Sequence, residues 1–120
     1  MSNIDKYNQT SHMKETFGEY IRKLRSEKNL TLTQLAARLD MDSANLSKVE
    51  NGKRDFDEKR LSKLADSLNL NIDKLRTEYY SDLIAKKIYN TNYCKATLSL
   101  AEEKINYLRQ KETKQGTLKL

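Results

Sequence analysis

The sequence predicts an all-α protein: five short helices packed over residues 14–78, followed by a helical extension. Three observations point there. The 120 residues contain no Pro and three Gly, so they lack the punctuation that sandwiches of short strands need. One third of the residues (33%) are charged, and Leu, Lys, Glu, Ala and Arg, all strong helix formers, are abundant. Apolar residues also recur at spacings of three and four rather than alternating.

The first helix runs from Glu15 to about Lys28. Its apolar stripe is Phe17, Tyr20, Ile21 and Leu24, and Asn29-Leu30 ends it. The second covers Leu32 to Leu39, where Thr31 and Gln34 have capping-box spacing and Leu35, Ala36 and Leu39 face inward. Asp40-Met41-Asp42 is a three-residue break with Met41 as its apolar plug. The third helix, Ser43 to Glu50, takes Asp42 as N-cap and stops at Asn51-Gly52. Only Leu46 and Val49 on it are clearly apolar. A helix with so narrow an apolar face is either marginal or used on its outer side. Lys53 to Asp57 reads as a loop. Asp57 then caps a fourth helix, Glu58 to Leu68, and Asn71 caps a fifth that starts at Ile72 and continues in pattern to Ile88. After the break at Asn90-Thr91-Asn92, a last helix spans about Tyr93 to Lys111. On it Cys94, Leu98, Ala101, Ile105 and Leu108 form a short heptad seam.

The ends carry less. Residues 1–13 are polar and aperiodic, a flexible tail or a cloning-derived segment: Ser11-His12-Met13 reads either as a cloning junction with a native start at Met13 or as part of a natural tail. Residues 112–120 read as a frayed tail. No leader-like apolar stretch opens the chain, and no apolar run reaches membrane-spanning length. The expected setting is therefore the bacterial cytoplasm, in association with the nucleoid and with no membrane partner.

The net charge of +6 fits an anionic partner only weakly. Residues 13–78 are nearly balanced in charge and residues 79–120 are more basic, so recognition of an anion by the helical domain would rest on a local patch. The single Cys94 excludes an intramolecular disulfide and a Cys-rich zinc site. The one histidine, His12, lies in the tail, so no His-based triad or His/Cys metal cluster forms in a folded site. The scattered glycines make no phosphate-cradling loop. No enzyme activity, cofactor or metal is expected.

The informative unit is Leu30 to Leu39, then Asp40-Met41-Asp42, then Ser43 to Gly52. A short helix, a tight turn and a second short helix let the second one project. The major groove of B-DNA admits a helix and shows distinguishable base edges. A helix that enters it needs short or hydrogen-bonding residues near its N-terminus, as residues 43–48 supply. Leu30-Thr31, Leu35-Ala36, Leu46-Ser47, Val49 to Lys53, Leu61, Leu64-Ala65 and Leu68 together resemble the phage-repressor-like (Xre-type) helix-turn-helix family, over about residues 17–78. The fold so implied is a five-helix lambda-repressor-like domain, here with a C-terminal helical dimerisation extension in residues 79–111.

The resemblance also implies roles. Ser43, Ala44, Asn45, Ser47 and Lys48 fall where base contacts are usual, with Asn45 at the edge of that face. The Thr33 backbone, Asn51, Lys53 and Arg54 fall where phosphate contacts are common. Arg25 and Glu50 match a structural pair that bridges helices one and three. One position departs from the family pattern: where Gln often binds phosphate and braces a base-reading side chain, this chain has Leu32. The implied function is a sequence-specific transcriptional regulator that binds double-stranded DNA as a homodimer on a pseudo-palindromic operator, its dimer interface being Cys94, Leu98, Ala101, Ile105 and Leu108. The chain is also similar to restriction–modification controllers. The alternative is an antitoxin-like module whose C-terminal helices bind a partner protein, a toxin or a polymerase.

Overall fold

The computed structural model describes residues 15–119, with side chains through residue 113; the expected tail over residues 1–13 lies outside them. The described residues form six α-helices and one 3-10 turn: α1 (Phe17–Glu27), α2 (Leu32–Arg38), α3 (Ser43–Glu50), the 3-10 turn (Glu58–Arg60), α4 (Leu61–Leu68), α5 (Ile72–Ile88) and α6 (Cys94–Lys119). The chain divides into two compact units at Leu83/Ile84. None of the helices is long and apolar enough to cross a membrane.

Local chemistry sets the helix starts. Thr16 accepts the Glu19 amide and Glu19 accepts the Thr16 amide, so α1 begins at Phe17 and not at Glu15 as the stripe alone suggested. The Thr16 amide holds the Glu19 carboxyl below the usual carboxylate range. Thr31 and Gln34 make the same reciprocal pair on α2. Asp42 caps α3 through the Ala44 amide, and Asn71 accepts the amides of Asp73 and Lys74 at the start of α5. Each such cap stabilises its helix by about 1 kcal/mol.

The stops share one device. Asn29, Asp40, Gly52 and Asn69 all have φ between 53° and 75°, the left-handed conformation that reverses a helix end. In each case the next amide reaches back to a carbonyl five residues earlier: Leu30 to Arg25, Met41 to Ala36, Lys53 to Lys48 and Leu70 to Ala65. With so few glycines available, Asn and Asp take this conformation at three of the four ends.

The fourth predicted helix opens differently from expectation. Residues Glu58–Arg60 form the 3-10 turn and α4 starts at Leu61. Arg60 accounts for the tighter winding. Its guanidinium donates to the carbonyls of Leu39 and Asp40 at 2.9 and 3.0 Å and pairs with Asp57 at 2.8 Å. The same side chain thus satisfies carbonyls left over at the end of α2.

The core of the first unit is built from Ile21, Leu35, Leu39, Leu46, Leu61, Leu64, Leu68 and Leu75, all fully buried, each contributing about 2 kcal/mol. Phe56, which falls in the predicted loop, is buried too. It packs 5.9 Å from Phe17, and the Tyr79 hydroxyl donates to its carbonyl at 2.7 Å. Tyr79 also meets Phe17 edge-on at 5.2 Å. The core therefore extends past residue 78 to Tyr79, with Leu83 packed against it. In the second unit α6 continues to Lys119, beyond the sequence-read end at Lys111, because no residue before Gly116 breaks it.

Gly18 is the tightest point. A Cβ there would lie 2.2 Å from the Val49 carbonyl oxygen and 2.8 Å from that of Glu50. Alanine at an exposed helical position is favoured over glycine by about 1 kcal/mol, but here backbone atoms stand in the way. Gly18→Ala is expected to cost about 3 kcal/mol in urea unfolding. A variant as stable as the parent chain would show that α1 and α3 do not approach so closely.

Candidate nucleic-acid interface

Helices α2 and α3 and the turn between them form the candidate site. The turn is pinned by its left-handed Asp40 and by Arg60, and the Asp40 carboxylate also pairs with Lys63, which holds it below the usual carboxylate range. Leu32 packs against the core, so the position where the family often carries a bracing Gln is filled by an apolar contact.

α3 turns Leu46, Val49 and Glu50 inward. At 100° per residue, Ala44 and Lys48 lie opposite that buried side, with Ser47 and Asn51 on one flank and Asn45 on the other. Ala44, Lys48 and Asn51 are exposed, whereas Ser43, Asn45 and Ser47 are half-buried. Thr33, in the first turn of α2, is exposed, and so are Lys53 and Arg54.

Four of these side chains, Asn45, Ser47, Asn51 and Arg54, have partners that sequence reasoning missed. The Arg22 guanidinium, from α1, donates to Asn51 Oδ1, and Asn51 Nδ2 donates to Ser47 Oγ at 3.4 Å. On the other flank Arg54 donates to Asn45 Oδ1. Spacing within one helix cannot reveal contacts across 29 and nine residues. Arg22 gave no signal because it sits on the polar side of the α1 stripe.

Lys53 stands out by a local rule. The residue after a left-handed stop usually packs back on its own helix, and Leu30, Met41 and Leu70 do so, partly buried against the core. At the end of α3 that place is taken by an exposed lysine. A cation where packing calls for an apolar side chain is a departure that points to function.

Beneath the site lies the Glu50 carboxylate, its side chain only 2% exposed. Arg25 meets it with two bonds, 2.8 and 3.0 Å, and donates a third to the Leu30 carbonyl at 2.9 Å. Arg22 approaches the same carboxylate at 3.4 Å. The bonds to Glu50 raise the Arg25 guanidinium further above its ordinary value. The pair anchors the end of α3 to α1 from below, leaving the outer face of α3 clear.

Comparison with known proteins identifies the helix-turn-helix segment. The family model described as Helix-turn-helix matches residues 21–75. The chain is 42% identical over 57 residues to the HTH-type transcriptional repressor RghR of Bacillus subtilis (strain 168), a match covering 47% of this chain and 42% of RghR. It therefore spans less than half of that relative's length. It is 36% identical over 64 residues to the control protein C.MunI of Mycoplasma sp, covering 52% of this chain and 86% of C.MunI. Among solved structures, the restriction–modification controller C.AhdI from Aeromonas hydrophila aligns with a TM-score of 0.46 at 32% identity, over 49% of this chain and 89% of that one.

The Glu50 geometry generates a stability test. Arg25→Ala would leave a buried carboxylate with only the longer Arg22 contact, and is expected to cost about 3–5 kcal/mol in urea unfolding. Glu50→Ala should cost less, since Arg25 keeps its bond to Leu30 and is the more exposed partner. A loss below about 1 kcal/mol for Arg25→Ala, the level of a surface pair, would contradict the buried pairing.

Proposed function

The chain belongs to the Xre-type helix-turn-helix family of transcriptional regulators, and on that premise we propose that it binds a pseudo-palindromic operator as a homodimer. In this reading each α3 enters a major groove, and two such helices sit about 34 Å apart on one face of the duplex. Lys48 donates to guanine, Ser43, Ser47 and Asn45 contact neighbouring base edges, and Ala44 touches a thymine methyl. The Thr33 backbone, Asn51, Lys53 and Arg54 hold phosphates and set the register. The observation that carries the proposal is the two-sided character of α3: a narrow buried side locked to α1, and an outer side of short polar residues and Lys48 that continues into exposed Lys53 and Arg54.

The dimer part rests on α6. Leu98, Ile105 and Leu108 share the seam face with Cys94 and Ala101, yet they remain 49%, 47% and 58% exposed. Repeated large apolar residues left open on one helical face are suited to a matching face on a second copy. The resemblance of the sequence to restriction–modification controllers favours control of such a system as the setting, on the nucleoid in the cytoplasm. A second reading assigns α6 to a toxin or a polymerase, in the manner of an antitoxin. It is favoured by further exposed apolar residues: Leu100 and Tyr107 on another flank of the same helix, and Tyr93 just before its start.

Two experiments test this. Lys48→Ala should weaken specific binding more than binding to random DNA. Lys53→Ala should weaken both alike and lower the salt slope by about one. Equal losses from the two changes on both DNAs would remove Lys48 from the base-reading set. Replacing Leu98 and Ile105 together by Lys should give a monomer in sedimentation; a dimer that survives would exclude the α6 seam, and a parent chain already monomeric would favour the second reading.

A further inference from the structure

The hydrogen-bond polarity of the α3 face says which bases it can read. An arginine guanidinium only donates. Arg22 therefore obliges Asn51 to turn its Oδ1 toward α1, and Arg54 obliges Asn45 to do the same toward the loop. The Asn51 amide nitrogen then faces Ser47 and donates to its hydroxyl oxygen. With one of its two lone pairs taken in this way, Ser47 leans toward donating its proton outward. Asn45, held by its oxygen, offers its NH2 group. Lys48 carries three donors and no acceptor.

Two nearby carboxylates have partners of their own. The Asp42 carboxylate caps α3 through the Ala44 amide, and the Glu50 carboxylate is buried beneath the helix between Arg25 and Arg22. We propose that Arg22 and Arg54 are positioning residues that turn the Asn51 and Asn45 amide oxygens away from the outer face of α3, so that at the positions read by Lys48 and Asn45 it favours guanine edges over adenine and cytosine. Guanine presents two acceptors in the major groove, N7 and O6, whereas thymine presents one, O4, adenine sets an amino donor beside its N7, and cytosine presents only an amino donor. The usual asparagine contact to adenine uses the amide oxygen and nitrogen together, and here the oxygen is turned away. The arrangement also supplies, from α1, a brace for a base-reading side chain in a chain where Leu32 cannot provide one.

This inference rests on the DNA-binding reading, and one experiment separates the two. The full-length chain selects from a random-sequence DNA duplex library, alongside Arg54→Met and Arg22→Met, with far-UV circular dichroism and urea unfolding to establish that each variant folds. Guanine should dominate the positions read by Lys48 and Asn45 for the parent chain, and replacing those guanines by 7-deazaguanine, which lacks N7, should weaken binding by roughly tenfold per position. Arg54→Met frees the Asn45 amide, so adenine should rise at the position it reads. Arg22→Met should broaden the preference at the Ser47 position. A uniform loss of affinity with an unchanged preference, as a purely phosphate-binding or structural arginine would give, overturns the inference alone. So does a parent chain that selects adenine or cytosine there. A parent chain that enriches no sequence overturns the DNA-binding reading and this inference with it. Should Arg22→Met fail to fold, because Arg22 also touches Glu50, the Arg54→Met comparison decides by itself, since Arg54 lies in an exposed loop.

Discussion

The seating of α3 on α1 through the buried Glu50 carboxylate is the constraint on which the rest of the site depends. Two aliphatic residues, Leu46 and Val49, are a small apolar anchor for an eight-residue helix. Burying a carboxylate is costly unless it is fully paired. Arg25 supplies two of the bonds and is itself held by the Leu30 carbonyl. An ion pair of this kind adds little to stability compared with an apolar replacement, but it has a direction, and so fixes the end of α3 in one orientation. The close passage of Gly18 under the last carbonyls of α3 requires that same orientation. Under the proposed reading the outer face needs this fixity, since side chains as short as Ser47 and Asn45 would read a base edge only when the backbone behind them is placed to within a fraction of an ångström.

The helix stops show how a structural rule and a functional demand coexist in one chain. Four helices end in the same left-handed turn, and the residue that follows three of them returns to the core. At the fourth, the end of α3, the chain forgoes that packing and presents Lys53. A single half-buried apolar side chain would add little there beside the anchoring that Glu50 already provides. The end of the helix thus tolerates a charge where the others do not.

Much of the fold was legible in the sequence, and the reasons differ by element. Thr31-x-x-Gln34, Asp42 and Asn51-Gly52 are local signals, and they set the ends of α2 and α3 correctly because capping involves only near neighbours. The apolar stripe alone puts the start of α1 at Glu15, whereas the Thr16–Glu19 capping pair, also a local signal, puts it at Phe17. Phe56 does not read as core, as it belongs to no periodic run: it is buried by contacts formed only when distant segments close on Phe17. Arg60 reads as a surface charge until folding brings it to the end of α2. At the site, the residue positions on α3 followed from the helix pattern and the family likeness. The polarity of Asn45 and Asn51 did not, because it is imposed by Arg54 and Arg22 across the fold.

The small size of the α3 face connects the two units of the chain. A good bidentate contact discriminates between bases by about 1–3 kcal/mol, and a hydroxyl or a single lysine does less, so one helix with three donors discriminates only modestly. Specific recognition against a genome of competing sites needs several times that. Two copies held at a fixed distance add their discrimination energies, which multiplies their selectivities, and they do so without enlarging either face. The open Leu98, Ile105 and Leu108 face of α6 then becomes part of the same requirement: under the dimer reading, whatever weakens pairing through α6 must weaken operator affinity by linkage, even though α6 touches no base.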